Sequence, residues 1–202
     1  MNRRQFIKGA AIAPAAVAAS HWSAAAEALG AKPSRITAVV YDVRYADCRI
    51  FAEALARQGA VAFSTDGDAA NLWYGALRAH LARYGGSVAG MTTDCDLAVS
   101  RGCGRELSMQ IAYEGSHDGR AAGCLKHRLR GSGEEREVYA ALLRAEGSWA
   151  ESIASALARP ALAERIIHAV AGVPTITTPQ SAEYPGYLAS WLLVRSRRAY
   201  SR

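Results

Sequence analysis

Residues 36–42 read ITAVVYD, a short β-branched and aromatic run that ends on the carboxylate of Asp42. A run of this kind predicts a buried β-strand. Three similar runs follow at residues 60–64, 87–91 and 109–114, and amphipathic stretches long enough to be helices separate them. Strands that alternate with helices favour an α/β domain in which residues 36–42 form the central strand.

The stretches between these strands have the apolar spacing of helices. Residues 46–58 end at Gly59, residues 69–84 precede two glycines, and residues 95–107 follow a Thr-Thr-Asp sequence suited to a helix N-cap. Because parallel neighbouring strands need a crossover connection, the pattern predicts a three-layer, Rossmann-like α/β domain. We expect a mostly parallel, doubly wound sheet with the strand order 2-1-3-4.

The sequence after residue 120 has a different composition. Residues 126–137 are charged and contain glycine, which favours a surface loop; an anion site that uses Arg128, Arg130 and Arg136 is the alternative. The apolar run at residues 187–195 predicts a closing strand at an edge of the sheet. The remaining C-terminal elements are expected to be helices at 134–145, 149–157 and 160–170, and a proline-containing loop at 174–185.

Length and charge narrow the class of protein. The chain has 202 residues, of which 50% are hydrophobic, so one domain with a substantial core is expected. The formal net charge is +6, but the basic residues are scattered and are not interleaved with aromatic residues. This distribution argues against nucleic-acid binding.

The first residues have the organisation of an export signal. A weakly apolar, alanine-rich stretch at residues 9–19 follows a short basic segment. The signal motif in that segment consists of Arg3, Arg4, Phe6 and Lys8. This leader resembles a twin-arginine (Tat) signal peptide. The apolar stretch is too short for a bilayer core of roughly 30 Å, so no stable membrane span is expected.

A small-x-small sequence at residues 26–28 suits cleavage by a signal peptidase. A cut after Ala28 divides the chain into a signal peptide at 1–28 and a single α/β domain at 29–202; a cut after Ala26 is the second choice. The resemblance implies that the Tat translocase is a partner and that the protein crosses the membrane already folded. It further implies a periplasmic location, or an otherwise exported one.

The sequence that follows the leader is similar to small exported bacterial proteins that carry a Tat leader and a Tyr-Asp-x-Arg-Tyr segment, here at residues 41–45. That resemblance does not indicate a particular activity, and it leaves the cofactor unknown. Folded export is typical of proteins that bind a cofactor or travel with a partner. We therefore expect an accessory or partner protein of an exported redox or cofactor enzyme.

A binding site is expected where the parallel strands end. In an open α/β sheet the ligand crevice lies outside the carboxyl ends of the strands, at the point where the strand order reverses. Helix N-termini could bind an anion there, and acidic side chains could bind a metal. The alternative function is thus a small enzyme or a binding protein for an anionic small molecule. The candidate ligand-binding residues are Asp42, Arg44, Tyr45, Asp66, Thr92, Thr93, Asp94 and His117.

Familiar catalytic motifs do not occur in the sequence. It contains no GxGxxG after a strand, no GxxxxGK[ST] and no GxSxG. Asp42 at the end of a strand resembles the nucleophile of haloacid dehalogenase phosphatases, but Arg44 occupies the position of their second acid. Four cysteines in an exported chain permit one or two disulfides, and their spacing includes no CxxC. His80, His127 and His168 are expected to be isolated surface residues, and His21 belongs to the leader.

Overall fold

A seven-stranded mixed sheet with helices on both faces forms the centre of the molecule. The computed structural model describes residues 36–120, 123–131, 134–145, 148–159, 175–179 and 186–195. The leader, the expected helix at 160–170 and most of the expected loop at 174–185 lie outside these ranges.

The strands are β1 Ile36–Tyr41, β2 Val61–Ser64, β3 Ser87–Thr92, β4 Met109–Asp118, β5 Cys124–Gly131, β6 Ile176–Pro179 and β7 Tyr187–Arg195. The helices are α1 Ala46–Ala56, α2 Ala69–Tyr74, α3 Ala76–Tyr84, α4 Asp94–Glu106, α5 Glu134–Leu143 and α6 Trp149–Leu157. The single helix expected at 69–84 is interrupted at Gly75, whose backbone leaves the helical region.

The sheet has the strand order β2-β1-β3-β7-β4-β5-β6. Strands β2, β1 and β3 are parallel neighbours, as the sequence predicts. The other four pairings are antiparallel, so the prediction of a mostly parallel, doubly wound sheet is wrong. The physical reason is that β4 is followed by a hairpin to β5 rather than by a crossover helix.

Strand β7 occupies the middle of the sheet. It pairs with β3 on one side and with β4 on the other. The six consecutive residues from Leu188 to Leu193 are buried, and Val194 is half-buried. The prediction of a closing strand at an edge is therefore wrong, although its bounds match. A continuous apolar run is typical of a strand that is covered on both faces.

Strand β5 replaces part of the surface loop expected at 126–137. Its residues alternate between buried and exposed, with Leu125, His127 and Leu129 turned into the core. The intervening residues of β5 are basic and face solvent on the second face of the sheet. Among the described residues, the helices on that face pack on β1, β3, β7 and the start of β4 rather than on β5. An antiparallel sheet commonly has one such solvated face.

Two hydrophobic clusters fill the layers on either side of the sheet. Helices α1, α5 and α6 cover one face, where Phe51, Tyr113 and Ile153 are fully buried. Helices α2, α3 and α4 cover the other, where Trp73 and Trp191 are fully buried. Strands β1 and β3 contribute buried residues to both clusters, so the polar side chains that follow these strands extend directly from the packed core.

Candidate functional site

Asp42 lies immediately after β1 and is fully buried. Its amide donates a hydrogen bond to Met91 O at 3.3 Å, which joins the ends of β1 and β3. Its carboxylate accepts hydrogen bonds from Arg44: Nε lies 2.9 Å from Oδ1 and Nη2 lies 2.6 Å from Oδ2. The Arg44 amide adds a third bond, at 3.0 Å from Oδ1. This pairing is bidentate, the strong form of an arginine–carboxylate interaction.

Burial alone would raise the pKa of Asp42, but the hydrogen bonds and the charge of Arg44 outweigh burial and hold that pKa below its usual value. The guanidinium of Arg44 also lies 5.4 Å from the ring centroid of Tyr45, the residue that precedes α1. Two of the three guanidinium nitrogens of Arg44 are thus engaged with Asp42. Arg44 and Tyr45 therefore cover the buried carboxylate of Asp42.

Thr92 and Thr93 connect β3 to α4. The Thr92 hydroxyl is buried; it accepts a hydrogen bond from Trp191 Nε1 at 3.2 Å and donates one to Thr93 O at 3.1 Å. Thr93 is the N-cap of α4, and its hydroxyl accepts a hydrogen bond from the Asp96 amide at 3.4 Å. Each of these hydroxyls therefore has a structural partner at the site where the sequence predicts a ligand.

Thr65 and Asp96 are the polar residues of this edge that have unused hydrogen-bonding atoms. Thr65 follows β2 and is 2% exposed, and Asp96 lies in the first turn of α4 and is 8% exposed. Within the part of the chain that the structure describes, neither Thr65 Oγ1 nor Asp96 Oδ2 makes a hydrogen bond of ordinary distance and angle, although the Thr65 hydroxyl lies near enough to Asp96 to lower the pKa of that carboxyl. A buried polar atom without a partner costs about 1–3 kcal/mol, so such atoms commonly mark a binding site or an ordered water.

Burial raises the pKa of Asp96, and the nearby charge of Asp42 adds to the increase. The hydroxyls of Thr93 and Thr65 and the charge of Arg44 oppose it without cancelling it. Asp42, Arg44, Thr65, Thr93 and Asp96 are therefore neighbours at this end of the sheet. We call this group the switch-point crevice, after the position at which the sequence predicts a ligand. Asp96 is not among the residues predicted from the sequence, although it lies two residues after the predicted strand–helix turn that ends at Asp94.

Asp66 and Asp94 lie at the rim of the switch-point crevice. Asp66 has a positive φ of 45° and is exposed, and its Oδ1 accepts a hydrogen bond from Ser64 Oγ at 2.6 Å, so it shapes the turn after β2. Asp94 is exposed in the first turn of α4. Among the described residues neither Asp94 nor Asp96 belongs to a salt bridge. The crevice therefore has an excess of negative charge.

His117 is not part of the switch-point crevice. It lies within β4, not beyond it, and is buried in the layer covered by α6, where its ring packs against Trp149 with 4.6 Å between centroids. His117 Nδ1 and His127 Nδ1 are 2.8 Å apart, because the β4–β5 hairpin pairs the two residues directly. His127 is fully buried as well, so the expectation that it is an isolated surface residue is wrong.

The two histidines belong to a buried hydrogen-bonded chain. His117 Nε2 lies 2.8 Å from Ser190 Oγ, which lies 2.9 Å from Tyr113 Oη, and His127 Nε2 lies 2.8 Å from Thr178 Oγ1. Burial keeps the pKa of His117 well below its usual value and lowers that of His127 to about 4. Both rings are neutral at physiological pH, with one Nδ1 donating to the other. The alternation in β5 was the signal that could have placed His127 in the core.

The possible metal ligands and the cysteines of the described residues are dispersed. They contain no group of three or more histidine, cysteine or acidic side chains that could hold a metal ion. All four cysteines are free; Cys48 and Cys103 are buried, and burial raises the pKa of both thiols. The disulfides that the sequence permits are not formed in this structure.

Comparison with known proteins identifies the leader. The family of twin-arginine translocation pathway signal sequences matches residues 1–20. Neither a curated protein nor a solved structure shows a significant match to the chain. The protein thus carries a Tat signal, is handled by the Tat translocase and is exported across the membrane. Within the described residues, no helix is long and apolar enough to cross a membrane.

Proposed function

We propose that the exported domain is a binding protein that takes a small polar ligand in the switch-point crevice. The observation that carries the proposal is the pair of buried atoms, Thr65 Oγ1 and Asp96 Oδ2, that lack partners among the described residues. They lie beside the ends of β1 and β3. Strand β2, which follows β1 in the chain, lies on one side of β1 in the sheet, and β3 lies on the other side. This is the position at which open α/β sheets bind ligands.

The charges of the crevice favour a ligand that donates hydrogen bonds, such as a small amine. Arg44 is bound to Asp42, so it offers an anion little more than one guanidinium nitrogen. Asp96 has a raised pKa because its charge is poorly solvated. A ligand ammonium group would stabilise that charge, and binding would therefore lower the pKa of Asp96. The anionic ligand expected from the sequence is less well suited to this arrangement.

A thermal-shift screen of the exported protein tests the proposal. The probes are ethanolamine, agmatine and imidazole, with acetate and inorganic phosphate as anionic counterparts. We expect an amine to raise the melting temperature, and we expect Asp96→Asn to abolish that rise. Glu53→Gln is the matched control, because Glu53 is an exposed acid on α1 outside the crevice. Equal responses of the two variants would contradict the proposal.

Thr65→Val separates binding from folding. Valine has nearly the shape of threonine and lacks the hydroxyl that has no partner in the described structure. We expect the variant to be more stable than the parent by about 1 kcal/mol in urea unfolding, because a buried polar group is removed. The same variant should lose the thermal response to the amine. A loss of stability would show that the hydroxyl is already satisfied, and would overturn the assignment.

A second candidate function is that of an accessory protein for an exported redox or cofactor enzyme in the periplasm. The Tat signal supports it, since proteins that use this route are carried already folded and some travel with a partner. An affinity-tagged full-length chain, expressed in its host and recovered from the exported fraction under native conditions, should then run in size-exclusion chromatography with a second polypeptide. Recovery as a lone monomer would count against this role.

A further inference from the structure

The edge of the sheet opposite the switch-point crevice contains a cleft of about 300 Å³. It lies where β4 begins and β5 ends, and the C-terminal half of α4 forms one wall. Its volume is at the lower end of the range for small-molecule sites. The cleft is separate from the residues discussed above, and its function does not depend on the proposed function.

Three arginines and one glutamate supply the charge of this cleft. Arg101 and Arg105 come from successive turns of α4, and Arg130 comes from β5. Glu114 lies between two of them: Arg101 Nη2 is 2.5 Å from Oε2 and Arg130 Nη2 is 2.7 Å from Oε1. One carboxylate thus holds two guanidinium groups in place, and the cleft retains a net charge of about +2.

Unused donors remain in the cleft. Within the described residues, the buried Nε of Arg101 has no hydrogen-bond partner, and Arg105 forms no salt bridge. The C-terminal end of α4 contributes a partial negative charge of about −0.5, which is smaller than the excess of positive charge. The electrostatic balance therefore favours an anion.

Apolar atoms form the remainder of the cleft. Met109, Ile111 and Leu193 line it beside the arginines. Met109 and Leu193 are already buried, at 3% and 1% exposed, and Ile111 is half-buried. A bare inorganic anion would contact the guanidinium groups and leave the accessible part of Ile111 against water. An anion that carries a hydrocarbon or aromatic body would cover this part of Ile111 and remove its own apolar surface from water.

We propose that this arginine cleft binds a small organic anion, with its carboxylate or phosphate group on Arg105 and Arg101 and its apolar body against Ile111. Glu114 positions the arginines and also competes with the ligand for them. The sequence offered Arg130 for an anion site only as part of a loop. The structure instead combines it with two arginines from a distant helix.

Isothermal titration calorimetry of the exported protein with phenyl phosphate tests the proposal. We expect saturable binding that is at least about tenfold tighter than that of inorganic phosphate, because only phenyl phosphate reaches the apolar wall. Arg105→Gln should weaken binding of phenyl phosphate about tenfold. Arg83→Gln is the matched control, since it removes the same charge from an exposed site on α3 outside the cleft.

Glu114→Gln provides an independent readout. It removes the internal competitor, so phenyl phosphate should bind more tightly than to the parent protein if the variant keeps its melting temperature. Arg105 is exposed, so Arg105→Gln is expected to fold and its titration decides the matter even if Glu114→Gln does not fold. No saturable binding of phenyl phosphate up to about 10 mM, or equal affinity in the Arg105→Gln variant, would overturn the proposal.

Discussion

Arg44 is an exposed side chain with a buried partner. Its side chain is 57% accessible, whereas that of Asp42 is fully enclosed. The two residues are therefore not equivalent, because water can replace Asp42 around Arg44 but cannot easily replace Arg44 around Asp42. Removing the arginine leaves a charged carboxylate in the protein interior without its strongest donor.

Arg44→Met should accordingly be more harmful than its exposure suggests. We expect the free energy of unfolding at neutral pH to fall by roughly 1.5–3 kcal/mol, the range for hydrogen bonds to a charged group. Urea denaturation followed by circular dichroism measures the change. The control is Arg83→Met, which should change stability by less than about 0.5 kcal/mol. Similar values for the two variants would mean that Asp42 is adequately solvated without Arg44.

Gly90 is required by close packing within the sheet. It pairs directly with Trp191 of β7, and a Cβ atom at this position would overlap the six-membered ring of that indole. Gly90→Ala should therefore lower the free energy of unfolding by at least about 1–3 kcal/mol. Combining it with Trp191→Leu should restore part of the loss, which a double-mutant cycle in urea would quantify.

Gly102→Ala is the matched control for Gly90→Ala. Gly102 lies inside α4, and a Cβ there would meet no atom within 4 Å. Since alanine is the better helix former, this variant should be more stable than the parent by about 0.5–1 kcal/mol. A comparable loss from both substitutions would show that the effect at Gly90 does not arise from Trp191.

At the level of the elements, the first half of the chain was predictable and the second half was not. Strands β1 to β3 and the helices after them follow simple periodicities, so the sequence predicts their approximate positions and the parallel pairing of the strands, although it misses the break between α2 and α3 at Gly75. In β5 the buried positions include a histidine, and the exposed ones are basic, which gave the segment the composition of a loop. In β7 the bounds were correct, but the last strand in the chain was assumed to be the last in the sheet. Its unbroken apolar run was evidence for a central position.

The residues of the candidate site were likewise only partly predictable from the sequence. Local order predicts that Asp42, Thr92 and Thr93 follow neighbouring strands, and these residues do share one edge of the sheet. The unpaired atoms of Thr65 and Asp96 depend on distances that a sequence does not contain. The contact between His117 and His127 depends on the register of a hairpin, and the arginine cleft depends on where α4 crosses β4.

The β4–β5 hairpin makes folding sensitive to acid through its two histidines. The pKa of His127 falls from 6.5 in the unfolded chain to about 4 in the folded protein because the ring is buried. The unfolded state therefore binds more protons in this interval, and stability is full above pH 6.5 and decreases as the pH falls toward 4. The loss from this residue is at most roughly 3 kcal/mol.

Urea unfolding at a series of pH values measures this effect. The His127→Gln variant should be less stable than the parent near neutral pH and should lose less stability on acidification. Other groups contribute with different signs: Asp47, which contacts Trp149, has a pKa raised by burial and so opposes the loss. These other groups are the same in the parent and in His127→Gln, so their contributions cancel when the two proteins are compared. An identical pH dependence of stability in the two proteins would show that His127 is not the cause of the acid sensitivity.

For the molecule as a whole, β7 joins two halves that are otherwise separate in the sheet. The parallel half β2-β1-β3 and the antiparallel half β4-β5-β6 are connected through β7, which pairs with both. Residues 187–195 must therefore be available before the sheet can form. A domain of this kind completes its core only after most of the chain has been synthesised, which suits a route that carries proteins already folded.

Export should therefore depend on the integrity of β7 as well as on the leader. Leu188 is fully buried in this strand, so Leu188→Asp places a carboxylate in the core at a cost of several kcal/mol. We expect the variant precursor to stay in the cell interior and to be degraded by added protease. Cell fractionation followed by limited proteolysis measures both properties.

Two comparison variants separate the effect of the fold from the effect of the signal. Replacing Arg3 and Arg4 by lysine should also stop export, but the retained precursor should resist protease because its domain is folded. Thr177→Ala changes an exposed residue on β6 and should be exported like the parent protein. Normal export of Leu188→Asp would show that the signal alone decides translocation. Protease sensitivity of the lysine variant would instead show that the domain does not fold before it crosses the membrane, and the link between sheet topology and export route would fail.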